Sequence, residues 1–167
     1  MANIKISRKE FEKEIKITKE IEEKISLLGT PLDKINEEEL EIEIFPNRPD
    51  LLSTQGFLRA FKAFTGKETG LKKYKVRNSE EKLIVENSLP KEWPYAYACI
   101  IKNLNFDDDK IKEIIDVQEK LGSTLLRNRK KGGIGIYPLE KINFPIKFIG
   151  KKPEEIKFQP LEFQREI

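Results

Sequence analysis

The chain has 167 residues, of which 38% are hydrophobic and 37% are charged, a composition that supports a globular core of modest size. One cysteine and no histidine exclude an internal disulfide, a Ser-His-Asp triad and a histidine-based zinc site within this chain. The net charge of +3 is too small to predict nucleic-acid binding by itself, although it leaves room for a local basic patch.

The N-terminal part of the chain alternates strand and helix patterns. Residues 3–7 alternate apolar and polar side chains and predict a strand, and residues 8–15 predict a short helix. Thr18 is placed to cap a second helix, which Gly29 is expected to end. Leu40–Phe45 predicts the next strand, because its apolar side chains fall on one face and its glutamates on the other.

A rigid polar turn follows this strand, because two prolines interrupt it and bar further ladder pairing. Asn47, Arg48 and Asp50 are predicted to build the turn by bonding nearby backbone and carboxylate groups. Asp50 stands where the N-cap of the next amphipathic helix, over about residues 50–64, is expected. A ligand-binding role for the three polar residues is the less favoured alternative.

The middle of the chain predicts a linker and then a buried strand. Residues 67–94 are rich in Lys and Glu and carry short β-like runs, one of them at Leu83–Val85. Tyr95–Leu104 has apolar or small side chains on both faces, which is typical of a central strand buried on both sides. Cys99 lies in that run and is expected to be an inert core thiol.

A further helix and two strands are predicted in the last third of the chain. Residues 105–109 supply a cap and an acidic first turn for a helix over 110–121, which Gly122 is expected to stop. A Gly-rich strand near residues 132–136 and a strand at Ile146–Ile149 follow. Together the elements predict an α+β fold, with helices covering one face of a short sheet.

The run EIEIFPNRPDLLSTQGFLRAFKAFTG, residues 41–66, resembles the N-terminal region of the β subunit of phenylalanyl-tRNA synthetase in its archaeal and eukaryotic form. Residues 94–100, 115–121, 127–136 and 152–161 resemble later segments of the same family, so the resemblance covers nearly the whole chain. The family typically carries His-Asp where Tyr137-Pro138 stands here, and its subunit is several times longer.

The resemblance implies two domains. Residues 1–80 would form an N-terminal α+β domain with the Asn-Arg-Pro-Asp turn, and residues 81–167 the N-terminal portion of an editing domain. In the family, the β subunit pairs with a catalytic α subunit that uses ATP and magnesium. The editing domain hydrolyses tRNA for phenylalanine that carries tyrosine, since binding alone rejects an added hydroxyl poorly. Most of the editing pocket lies downstream, so no catalytic residue, metal site or cofactor is expected in this chain.

The densest basic cluster is the candidate RNA contact. It consists of Arg127, Arg129, Lys130 and Lys131, which could bind tRNA phosphates and release their counterions. The alternative is a solvated loop that only increases solubility, and the sequence leaves the two open. No aromatic side chains are interleaved with the cluster, so stacking on single-stranded bases is not predicted.

The first interpretation is thus the N-terminal part of a phenylalanine–tRNA ligase β subunit, with the α subunit and the rest of the β subunit as implied partners and tRNA as a further candidate. The alternative is a free-standing RNA-binding or assembly module derived from that subunit, without catalysis. A self-contained hydrolase is a third interpretation, against which the missing histidine counts. No apolar run approaches the ~20 residues of a membrane span, so we expect a soluble cytoplasmic protein with no membrane role.

Overall fold

The computed structural model describes residues 2–160 and 163–164, and the predicted α+β class is confirmed. The strands and α-helices are β1 Ala2–Ser7, α1 Arg8–Glu14, α2 Lys19–Leu27, β2 Leu32–Ile35, β3 Glu39–Ile44, α3 Thr54–Phe64, β4 Leu83–Val85, α4 Asp108–Ser123 and β5 Ile146–Phe148. Short 3-10 turns lie at Pro49–Leu51, Leu139–Lys141 and Pro153–Glu155. None of the helices in the described residues combines the length and apolar character that crossing a bilayer requires.

The chain divides into two compact units. The first takes its residues from Met1–Tyr74 and Asn105–Ile134, and the second from Lys75–Leu104 and Gly135–Ile167. Helix α4, which the sequence placed in the second domain, therefore lies in the first unit. The division into domains at 1–80 and 81–167 stays a prediction, since compact units of this chain do not define the domains of a longer subunit.

The first unit is built on an antiparallel sheet with the strand order β1-β3-β2. Strand β3 is central, and its register with β1 runs from Ala2 opposite Ile44 to Ser7 opposite Glu39. Strand β2 was not predicted. Its register with β3 shifts between Leu32 and Lys34, and this irregularity breaks the alternation on which strand prediction depends.

One apolar core holds the first unit together. Its buried members are Ile4, Ile6, Phe11, Ile15, Ile25, Leu40, Ile42, Ile44, Leu51, Leu52, Phe57, Leu58 and Phe61. At its centre the Phe57 and Phe61 rings stack with centroids 5.7 Å apart, and Phe11 tilts against Phe61 at 6.0 Å. Burying each such side chain stabilises the fold by about 1.5–3 kcal/mol. The alternating face of β3 and the apolar stripe of α3 are confirmed as the source of this core.

Two helix caps are confirmed and one helix end is not. Thr18 accepts a hydrogen bond from the Ile21 amide at 3.3 Å, and the chain leaves α2 through Gly29 at a φ of +87°. Gly122 does not stop α4, which continues to Ser123. Gly122 is buried inside the helix, beside the Arg129 side chain.

The second unit contains a parallel pair of strands, β4 and β5, both confirmed from the sequence. Within its described part, no residue is buried. The predicted strand at Tyr95–Leu104 is wrong, because this segment has no ladder partner among the described residues and Tyr97 is 90% exposed. Cys99 is likewise exposed rather than in a core. The Gly-rich strand predicted near 132–136 is also absent from the described residues.

Candidate functional site

The first candidate site is the turn that joins β3 to α3. The Arg48 amide donates to the Phe45 carbonyl at 3.0 Å, which closes a β-turn with Pro46 at its second position. Asn47 occupies the third position, where it is exposed to solvent. Pro49 then opens a 3-10 turn, because its fixed φ suits the first position of a helical turn and its missing N–H would be unpaired there.

Arg48 and Asp50 form a bidentate ion pair across this turn. Arg48 Nε donates to Asp50 Oδ1 at 2.9 Å and Nη2 donates to Oδ2 at 2.8 Å. These hydrogen bonds lower the pKa of the Asp50 carboxyl and raise that of the Arg48 guanidinium. The two side chains are 36% and 46% exposed, so the pair lies at the surface and adds at most ~1 kcal/mol to stability.

Ser53, rather than Asp50, caps helix α3. Its side-chain oxygen accepts from the Gly56 amide at 2.9 Å, and the helix begins at Thr54. The prediction of Asp50 as N-cap is wrong because the 3-10 turn over Pro49–Leu51 occupies the positions where the α-helix was expected to start. The Asp50 carboxylate therefore pairs with Arg48 and does not cap the helix.

Gly56 is the residue that the sequence analysis missed at this turn. A Cβ at this position would lie 2.1 Å from the Asp50 carbonyl oxygen and 2.9 Å from Ser53 Oγ. Only glycine lets the backbone of the turn lie this close to the first turn of α3. The available signal was a glycine inside an amphipathic helical pattern, which usually has a packing reason.

A small apolar cavity of about 190 Å³ opens beside the turn. Its lining consists of Ala2, Ile44, Phe45, Pro46, Pro49, Leu52, Thr124 and Leu125. This volume is below the ~300–1,000 Å³ of small-molecule sites, and the lining offers no charged side chain. The cavity is suited to one apolar side chain rather than to a substrate.

The second candidate site is the basic turn, residues 127–131, which follows α4 directly. Arg127, Asn128 and Arg129 all adopt left-handed φ values, of 50°, 55° and 62°. Their amides donate to carbonyls in the last turn of α4 and at its C-terminal end at 2.9–3.3 Å. Because these donors are paired with backbone, the amides do not form an anion-binding nest, and only side chains remain to contact an anion.

The structure separates Arg129 from the other three predicted RNA contacts. Its guanidinium pairs with Glu119, and its stem packs against Gly122. Arg127, Lys130 and Lys131 are exposed, and among the described residues no carboxylate lies within ion-pair distance of them. The cluster predicted as four equivalent cations therefore contains one residue that is tied to the helix and three that point to solvent.

The carboxylates of Glu10 in α1 and Glu113 in α4 lie close enough to interact electrostatically. One oxygen of Glu113 is buried without a hydrogen-bond partner among the described residues. Burial raises the pKa of Glu10, and the charge of Glu113 raises it further, against weaker opposing effects of Lys13 and Lys110. In the described part of the chain, no group of three or more ligating side chains is arranged to hold a metal.

Comparisons with known proteins give one consistent result, although no family model matches the chain. A phenylalanine–tRNA ligase β subunit from Methanocaldococcus jannaschii is 36% identical over 174 aligned positions that include the whole chain and 31% of that subunit. The corresponding subunit of Methanococcus aeolicus is 38% identical over 96% of the chain and 30% of its own length. The Archaeoglobus fulgidus subunit is 36% identical over 86% of the chain and 26% of its length.

The comparison with solved structures agrees with the sequence comparisons. The crystal structure of an N-terminal fragment of the phenylalanyl-tRNA synthetase β subunit from Pyrococcus horikoshii covers 99% of this chain, with a TM-score of 0.84 and 30% identity. The match takes in 50% of that fragment. The matches of sequence and fold thus show that the chain is similar to a region of an aminoacyl-tRNA synthetase subunit. Within that class, the chain is related to the N-terminal region of the archaeal phenylalanine–tRNA ligase β subunit, and it spans between 26% and 31% of these curated relatives.

Proposed function

We propose that the chain acts as the N-terminal part of a phenylalanine–tRNA ligase β subunit. In this role it contributes to subunit structure, and residues 81–167 form the opening part of the domain that clears tyrosine-charged tRNA for phenylalanine. The observation that carries the proposal is the agreement of sequence and fold over 99% of the chain, at a TM-score of 0.84. Its partners would be the catalytic α subunit and the rest of the β subunit.

The lack of a buried core in the described part of the second unit supports the proposal that this unit is part of a larger domain. Its described residues include many exposed large apolar side chains and none that is buried. Tyr95 is 76% exposed and Tyr97 is 90% exposed, although both belong to a run patterned for burial on two faces. An exposed apolar surface of this kind marks a site of association, here with polypeptide from outside this chain.

The chain itself supplies no catalytic group in this proposal. It has no histidine, and the position where the family typically carries His-Asp holds Tyr137-Pro138. Activation of phenylalanine with ATP and magnesium would belong to the α subunit, and the hydrolytic pocket would belong to downstream residues of the β subunit. The contribution of this chain is then to position and complete those sites.

A chimera tests this proposal. The matched N-terminal region of the M. jannaschii β subunit is replaced by this chain and co-expressed with the α subunit. We expect the chimera to co-purify with the α subunit, to support charging of tRNA with phenylalanine and to hydrolyse tyrosine-charged tRNA. A folded chimera that fails to bind the α subunit would overturn the proposal. The same chimera carrying Gly56→Val serves as the misfolded control, because that side chain collides with the turn backbone.

A free-standing RNA-binding or assembly module is the second candidate function, and the exposed basic turn favours it. Both functions permit RNA binding, but only the first requires the rest of the synthetase. Under either proposal, the isolated chain should neither charge tRNA nor deacylate it. Retention of RNA binding in a chimera that fails to assemble would favour the second.

A further inference from the structure

The basic turn holds two arginines and an asparagine in a backbone conformation that carries a steric cost. Three consecutive residues, Arg127, Asn128 and Arg129, have positive φ, a region that only glycine adopts without steric cost. Asn is tolerated there, whereas arginine with its long side chain is uncommon. Strained positions of this kind persist where the surrounding structure holds them, and they concentrate at functional sites.

Arg129 and Glu119 hold the turn in place. The ion pair links the third left-handed residue to the last turns of α4, and the Arg129 stem covers Gly122. The Lys131 amide also donates to the Leu126 carbonyl at 3.0 Å, which closes the turn from its other side. The conformation is therefore fixed by contacts that leave Arg127, Lys130 and Lys131 free to face solvent.

We infer that Arg127, Lys130 and Lys131 form a contact surface for the phosphate backbone of RNA, and that Arg129 is a positioning residue that acts through Glu119. This inference rests on the proposed role in a tRNA-dependent enzyme and names the residues of the contact. The amides of the left-handed residues are paired and no aromatic ring lies in the turn, so the surface offers three cationic side chains and the Asn128 amide but no ring for stacking. Such a surface binds phosphates without reading bases.

A salt titration of RNA binding by the full chain tests the contact. The probes are a tRNA transcript for phenylalanine and an unrelated tRNA of similar length, which should bind within a few-fold of each other. Replacing Arg127, Lys130 and Lys131 by Gln should lower the log–log salt slope by about 2–3, since each phosphate contact contributes roughly 0.7–0.9. The matched control removes three exposed lysines elsewhere, in the triple Gln variant of Lys72, Lys73 and Lys75.

The outcomes distinguish a failure of the RNA contact from a failure of the proposed synthetase role. If the parent chain binds neither RNA, the proposed RNA contact fails and the inference fails with it. If the parent binds and both triple variants reduce the slope equally, the contact is not in the basic turn, whereas the proposed synthetase role is untouched. A strong preference for one tRNA would also overturn the inference, because a backbone contact cannot produce it.

Two single variants distinguish contact from positioning. Arg127→Gly removes a cation and relieves the left-handed strain, so RNA affinity should fall while the melting temperature is unchanged or higher. Glu119→Gln removes a negative charge near the surface, which by electrostatics alone would strengthen RNA binding. If Glu119 positions the turn through Arg129, affinity should instead fall. Stronger binding by Glu119→Gln would overturn the positioning role.

Discussion

The carbonyl oxygen of Asp50 lies 2.1 Å from the place where a Cβ on Gly56 would stand. No real side chain accepts such a distance, so the two residues fix how closely the turn after β3 approaches helix α3. The Arg48–Asp50 ion pair is held on the outside of this contact. The turn is therefore stabilised mainly by packing beneath it, and its charges are displayed at the surface.

Gly56→Ala should strongly destabilise the protein, because either the turn or the helix must move to admit the methyl group. We expect a loss of about 1–3 kcal/mol or more in the free energy of unfolding, measured by urea denaturation. Gly133→Ala is the matched control, since a Cβ there meets no atom within 4 Å. Equal stability of the two variants would show that the turn is not packed as described.

Ser53→Ala should cost about 1 kcal/mol through loss of the cap of α3. Asp50→Ala should cost no more than that, because its exposed ion pair contributes at most ~1 kcal/mol. The same denaturation experiment gives both values. A larger loss for Asp50→Ala than for Ser53→Ala would contradict the assignment of Ser53 as the cap and restore that role to Asp50.

Glu10→Gln should raise the melting temperature at pH 7. Burial raises the pKa of Glu10 above its ordinary value of 4.5, so the folded state favours the protonated carboxyl. Stability from this group is present below pH 4.5 and is lost as the pH rises through the higher folded-state pKa. The gain should therefore shrink as the pH approaches 4, which melting temperatures of the parent and the variant measured at pH 7 and at pH 4 would show.

Cys99 should react with a thiol reagent in the isolated chain at the rate of an exposed thiol, since the structure places it at the surface. In the chimeric β subunit, where the rest of the domain is present, the proposed function predicts that the reaction slows. Absorbance after addition of a disulfide reagent measures both rates. Slow reaction in the isolated chain would mean that the segment 95–104 is covered without any partner.

The candidate sites were located by the sequence, but their internal contacts were not. Prolines and polar residues marked the turn after β3, and clustered charge marked the basic turn. The pairing of Arg129 with Glu119 depends on three successive left-handed residues that return the chain to α4. Nothing in the residue types required this conformation, because arginine does not favour positive φ.

The sequence by itself determined the elements whose signals are local. Alternation in Leu40–Phe45, the apolar stripe of α3 and the cap at Thr18 each act within a few residues, so they could be predicted without the fold. Only the tertiary structure decided that β2 pairs with β3 and that Tyr95–Leu104 forms no strand here. A strand needs hydrogen-bond partners from a distant segment, and a pattern that suits burial cannot create the surface that would bury it.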